Sequence, residues 1–364
     1  MKGRHDRKDV LLRIAAIVGL SVIFLVFTTL ANADGISTAN RTPGDKTVAL
    51  NSPLTLSWSP DGKKIAVGEK QGGQIYTVDF QNTTELELEG DEQRINSIAW
   101  SPDGRKLAGA VDNNIWLWDA NTGKQIALLR GITSVIASLA WKPDGRALAA
   151  GATGLGTGGN DQEIRIWRTD NYQVLKILKD KGFEQILTVS WSPDGQRIVD
   201  NSPPLGVRIW DANTSQILFN LRKGSDVSYA AWSPVGDFVA IAGVSGPQDL
   251  GTRIWDLQLW DGATGKLLST FGDNLADFMT VKWSPDGTQL ATANDRDGTV
   301  TIWDVATKLS IVQFTGNDFD FGTAIIVDFL TWSPDGQRVA IVTGDSHLRI
   351  WDVRSKTLVT DFSQ

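Results

Sequence analysis

The phrase WSPDG, or a close variant of it, returns at Trp58, Trp100, Trp141, Trp191, Trp232, Trp283 and Trp332, at spacings of 42, 41, 50, 41, 51 and 49 residues. A period in the forties without the 3.6-residue apolar rhythm of helices restricts the chain to units of strands stacked around an axis. A second phrase follows each first one, as in Ile115-Trp116-Leu117-Trp118-Asp119, Val207-Arg208-Ile209-Trp210-Asp211, Val300-Thr301-Ile302-Trp303-Asp304 and Leu348-Arg349-Ile350-Trp351-Asp352. The two phrases together hold thirteen of the fifteen tryptophans, so the excess of this residue is a matter of position. The remaining two, Trp116 and Trp255, are read as packing between units, with an exposed aromatic anchor for a partner as the alternative.

Each unit reads as four strands. A β-branched and aromatic run ends at the first Trp. Ser-Pro-Asp-Gly then turns the chain, with Pro fixing φ at the second position and Gly taking the positive φ that follows. A short apolar strand returns, a polar loop follows, and Ile-x-Ile-Trp-Asp makes a third strand that is apolar on both faces and must be covered on both. A turn such as Ala120-Asn121-Thr122-Gly123-Lys124 leads to a fourth, more polar strand, Gln125 to Arg130, suited to an outer edge. Four such strands cannot bury two faces alone, so each unit has to cover its neighbour.

The paired phrases resemble WD40 repeats, and seven of them imply an all-β fold, a seven-bladed β-propeller of four-stranded antiparallel blades over residues 46–364. The family's Gly-His pair before each inner strand is replaced by Gly90-Asp91, Gly131-Ile132, Gly224-Ser225 and Gly272-Asp273, so its blade-to-blade histidine network is not expected. The Asp six residues before the second Trp persists as Asp112, Asp161, Asp297 and Asp345, whereas Pro204 and Ile254 stand at the equivalent places. Blade one is read with Val78 where the second Trp belongs, and that blade is also similar to exported propellers of the TolB type. Thr357 to Phe362 is expected to complete blade seven, in preference to Lys46 to Leu50 closing the ring.

The first residues are of another kind. Lys2, Arg4, Arg7, Lys8 and Arg13 precede a charge-free apolar run, Ile14 to Leu30, and Ala31-Asn32-Ala33 follows. This pattern reads as a signal peptide over residues 1–33, with an uncleaved anchor as the alternative, and residues 34–45 read as a linker. The expected location is exported, periplasmic or extracellular, with membrane contact only through this segment. Its net charge is +3, which leaves the remainder at −7 minus 3, or −10. Such an acidic body without a basic stripe argues against nucleic acid as a partner.

Composition removes most catalytic chemistry. There is no Cys, and the two His are His5 and His347. No disulfide, thiolate metal site or Cys nucleophile is available. Gly154-Leu155-Gly156-Thr157-Gly158-Gly159 precedes a strand where dinucleotide binding needs a helix, and Gly262 to Lys266 reads as a turn. Asp295 with Asp297, and Asp318 with Asp320, fall short of the roughly six to eight oxygens that calcium takes. His347 with Asp345 and Ser346 lacks a nucleophile elbow and reads as a turn histidine. No catalytic, cofactor or metal residue is therefore assigned.

The expected function is a non-catalytic scaffold, a monomer that binds a protein or peptide through the loops opposite the WSPDG turns. The longest of these run from Gly151 to Gln162, Gly243 to Arg253 and Thr315 to Thr323, and variable loops on a rigid frame are where binding concentrates. The candidate contact residues are Asp161, Asp249, Arg253, Asp295, Asp297, Asp318, Phe319 and Phe321, with the two Phe as anchors in a polar loop. The alternatives are an envelope enzyme or carbohydrate-binding protein using the central channel, and a TolB-like envelope assembly factor.

Overall fold

The computed structural model describes residues 53–362 except 79–85, 90–93, 154–161, 181–184, 204, 223–226, 246–253, 276–277, 295–297, 315–326 and 344–346. The leader, the linker and Lys46 to Leu50 lie outside the described residues. The strands form seven four-stranded antiparallel sheets, each built from four strands consecutive in sequence. Their inner strands are Pro53–Trp58, Ile95–Trp100, Ile136–Trp141, Thr188–Trp191, Val227–Trp232, Phe278–Trp283 and Val327–Trp332. Blade seven ends on its own fourth strand, Thr357–Phe362, which pairs with Leu348–Asp352 as expected.

The turn chemistry follows the repeated phrase closely. Gly62, Gly104, Gly145, Gly195, Gly236, Gly287 and Gly336 all adopt φ between 64° and 74°. In five blades the Ser hydroxyl donates to the Asp carboxylate two residues on, as Ser101 does to Asp103 at 2.6 Å. The same Oδ1 accepts the backbone N–H of Arg105 at 3.0 Å, and Ser101 Oγ accepts that of Lys106 at 2.9 Å. Two blades depart from the phrase. Where Lys142 replaces Ser, its ammonium meets Asp144 at 3.1 Å. Where Val235 replaces Asp, Ser233 Oγ donates instead to the Val235 carbonyl at 2.7 Å.

Packing lies between the blades. The buried apolar residues fall into seven clusters, and each draws on two adjacent sheets. The cluster that joins blade one to blade seven contains Leu56, Trp58, Ile65 and Val67 with Ala340, Val342, Leu348 and Ile350. The ring thus closes by burial of side chains, the same force that joins every other pair. Third strands such as Val300–Asp304 are buried on both faces, as their composition required.

Two expectations are corrected. The register Ile65↔Tyr76 in blade one matches Leu107↔Trp118 in blade two, so Tyr76 and not Val78 occupies the place of the second Trp. Val78 matches Ala120 instead, since the backbone N–H groups of both bond to carbonyls in the first turn of their own blade, Lys63 and Arg105. The sequence Val78-Asp79 imitates Trp-Asp, and a slip of two residues in a strand keeps every side chain on its face, which is why the pattern alone admits the error. The fourth strands are also less polar than expected. They expose Val174, Leu175, Ile177, Leu267, Leu268 and Ile311, because only one face of an outer strand of this length reaches the neighbouring blade.

Candidate functional site

Each inner strand pairs only with the second strand of its blade, so seven free edges border a central channel. Free edges present backbone groups that need partners. Neighbouring blades supply them. The indole N–H of the WSPDG Trp donates to the carbonyl of the residue before the corresponding Trp in the preceding blade. This holds for Trp100 to Ser57, Trp141 to Ala99, Trp191 to Ala140, Trp283 to Ala231 and Trp332 to Lys282, at 3.0 to 3.2 Å. Hydroxyls cap the N–H groups in the same way, with Leu139 N on Ser97 Oγ at 3.2 Å, Val189 N on Ser138 Oγ at 3.1 Å and Trp232 N on Ser190 Oγ at 3.3 Å. The Trp of the phrase is therefore a peg between blades as well as an apolar filler.

The residues before each Trp are Ser57, Ala99, Ala140, Ser190, Ala231, Lys282 and Thr331, and all are partly exposed at the channel. Six are small and one is a cation. A cavity of about 320 Å³ opens between blades four and seven, toward the WSPDG turns, with Lys282, Tyr229, Ser190 and Thr331 among its lining. Lys282 Nζ lies 4.6 Å from the centroid of the Tyr229 ring and donates to its hydroxyl.

A second set of polar groups surrounds the aromatic residues of the third strands. Trp210 Nε1 donates to Asp200 Oδ1 at 3.2 Å, Trp260 Nε1 to Gln258 Oε1 at 3.0 Å, Trp303 Nε1 to Thr292 Oγ1 at 2.9 Å, and Tyr76 OH to Gln74 Oε1 at 2.6 Å. Asp200 and Arg208, both fully buried, are joined by bonds of 3.3 and 2.6 Å. Burial pushes the Asp200 carboxyl above the usual carboxylate range, against the pull of Arg208. Arg222 meets Asp256 at 2.7 Å, and Arg349 meets Asp361 at 3.3 Å. His347 Nδ1 lies 3.0 Å from Asp361 Oδ1, so its partner is the outer strand of blade seven. Trp116 and Trp255 pack against the clusters of their blades, Trp116 stacked on Trp118 at 6.2 Å.

The eight residues assigned to partner binding, Asp161, Asp249, Arg253, Asp295, Asp297, Asp318, Phe319 and Phe321, lie outside the described residues, as do Asp320, Asp345 and Ser346. Of the aspartates six residues before the second Trp, Asp112 is described, in a turn with φ 51°. Among the described residues no group of three or more His, Asp or Glu could hold a metal ion. Lys282 was missed because strand alternation marks which side chains share a face but not which of seven strands meet around a cavity. Its one sequence signal is a Lys at a place where the other repeats carry Ser, Ala or Thr.

The chain matches the family described as WD domain, G-beta repeat, over residues 82–119, 123–168, 265–304 and 314–352. The stretch 155–235 matches the Anaphase-promoting complex subunit 4 WD40 domain. The chain is a WD40-repeat propeller. Among its relatives, Protein FIZZY-RELATED 2 of Arabidopsis thaliana is 25% identical over 304 residues, 82% of this chain and 58% of that protein. Cell division cycle 20.1, cofactor of APC complex, from the same plant is 26% identical over 309 residues, 82% of this chain and 63% of that one. The WD40 propeller thus spans about three fifths of the length of these relatives. A chain in the crystal structure of a mitotic checkpoint complex superposes with a TM-score of 0.67 at 19% identity, covering 89% of this chain and 98% of that one, which shows the fold alone.

Proposed function

We propose that the WD40 propeller is a non-catalytic scaffold that docks a protein or peptide on the loops opposite the WSPDG turns. The observation that carries this is the kinship over 82% of the chain with a protein whose name makes it a cofactor of a complex. The architecture supports it, since a ring closed by seven equivalent packed interfaces is a rigid frame for long connecting loops. Phe319 and Phe321 are the apolar anchors of this reading, flanked by Asp318 and Asp320. The basic leader and the apolar run behind it support a location outside the cytoplasm.

The test is affinity capture with the full chain, followed by titration of the purified captured protein against wild type and the double variant Phe319→Ala, Phe321→Ala. A loss of affinity of at least about a hundredfold, with an unchanged thermal midpoint, is expected from removing two anchors. Equal affinity of the two forms would remove these loops from the interface. Fractionation of cells carrying the tagged chain, with amino-terminal sequencing of the product, tests location.

A further inference from the structure

The cavity between blades four and seven has an unbalanced chemistry. Among the described residues that line it, Lys282 is the one charged side chain. No carboxylate lies within ion-pair distance of Lys282 among the described residues, although the chain as a whole is acidic. Its ammonium has three N–H donors, of which one is directed at the Tyr229 oxygen. Because that oxygen accepts, the Tyr229 proton is left to be given elsewhere. Ser190 Oγ accepts the N–H of Trp232, which likewise leaves its proton available, and Thr331 contributes another hydroxyl.

Three of the carbonyls at this place are already occupied. The carbonyls of Ala231 and Lys282 receive the indole N–H groups of Trp283 and Trp332. Thr188 Oγ1 donates to the Ala230 carbonyl. What remains to face a ligand is one positive charge with hydroxyl donors beside it, together with the carbonyls of Ser190 and Thr331, which receive no indole N–H because Trp232 Nε1 and Trp58 Nε1 have no partner among the described residues. An unpaired ammonium with hydroxyl donors in the same cavity favours an anion, and charge-assisted bonds of this type are the strong ones. The rest of the wall is apolar, formed by Val189, Ala230, Trp232, Pro234, Trp283 and Pro285. Such a wall suits an apolar body attached to the anionic group.

We propose that this cavity is a binding site for a small organic carboxylate with an apolar body, its carboxylate held by Lys282, Tyr229 and the hydroxyls of Ser190 and Thr331. The site is independent of the loops assigned to protein docking, since it lies on the side of the WSPDG turns. Ligand size is bounded by the cavity of about 320 Å³, room for one ring and its acid.

The experiment is a ligand-observed NMR titration of the full chain with phenylacetate, its neutral twin phenylacetamide, and inorganic phosphate. Phenylacetate is expected to bind at least about tenfold more tightly than phenylacetamide, the ratio that a single charge-assisted contact provides. Phosphate is expected to bind more weakly than phenylacetate, because the apolar wall adds nothing to it. Lys282→Met, which keeps the aliphatic stem, should reduce the ratio to about one, and Tyr229→Phe should reduce it by about threefold or more. Lys176→Met on the outer rim should leave it unchanged. A wild-type ratio near one, a ratio that survives Lys282→Met, or tighter binding of phosphate would each overturn the assignment. If Lys282→Met does not fold, Lys282→Gln and Tyr229→Phe carry the same decision.

Discussion

The WSPDG turns and the third strands handle their polar groups in opposite ways. At the turns one set of hydrogen bonds recurs around the ring, with Ser59, Ser101, Ser192, Ser284 and Ser333 each donating to the Asp two residues on. For the third-strand tryptophans the acceptor changes from blade to blade, an Asp200 beneath Trp210, a Gln258 beneath Trp260, a Thr292 beneath Trp303. The difference is one of reach. A turn satisfies itself within six residues, so the same phrase gives the same geometry wherever it is written. A buried indole N–H takes whatever acceptor its own strand or the neighbouring second strand offers, and several side chains fit that place.

Breaking a third-strand solution should therefore cost most. Asp200→Ala leaves the buried Arg208 guanidinium without its nearest carboxylate, Asp180 standing 3.9 Å away, and a loss of about 3 kcal/mol is expected by urea unfolding. Converting the pair together, Asp200→Leu with Arg208→Met, should recover most of that loss, because the desolvation cost of two charges disappears with them. A double change as damaging as the single one would show that the ion pair itself stabilises the blade.

Among the pegs, Trp100→Phe removes an indole donor bonded at 3.0 Å, whereas Trp58 Nε1 has no partner among the described residues. Trp100→Phe is expected to destabilise the ring by about 1 kcal/mol more than Trp58→Phe, measured by the same unfolding curves. Equal losses would mean that volume alone matters at these positions.

The turns themselves allow a gain. Val235 stands where five blades carry the Ser-bonded Asp, and it is more than half exposed. Val235→Asp should restore the bond from Ser233 and raise stability by about 0.5–1 kcal/mol, read as an upward shift of the thermal midpoint. A fall would show that the carbonyl contact of Ser233 is the better arrangement in this blade.

The smallest effect is the pH dependence of the turns. The Ser59 hydroxyl holds the Asp61 carboxyl below its usual range, and Ser101 does the same for Asp103. A depressed folded-state value contributes stability that is complete above the unfolded value of about 3.8 and is lost as pH falls below it. Ser101→Ala should flatten that acid limb slightly while leaving the neutral plateau lower by about 1 kcal/mol. An acid limb that steepens would contradict the assignment.

Blade number, turn positions and the closing strand were legible in the sequence because each rests on a short-range rule. Pro60 and Gly62 set their turn without reference to any other blade, and Thr357 to Phe362 copied the fourth strands before it. Tyr76 was misplaced because Val78-Asp79 mimics the phrase and strand periodicity is blind to a slip of two. The apolar outer strands were misread because the sequence does not state how far a neighbouring blade extends over Leu175 or Leu268.

The sequence by itself determined a ring of seven four-stranded blades, since repetition and local turn chemistry are properties of the chain read in order. Only the tertiary structure decided that each apolar cluster belongs to two blades, that Trp100 pegs Ser57, and that Lys282 meets Tyr229 at a cavity with no carboxylate among its described lining. These are contacts between residues some forty to fifty positions apart. Closing the ring brings them together, and no pattern within one repeat encodes which partner the next repeat will present.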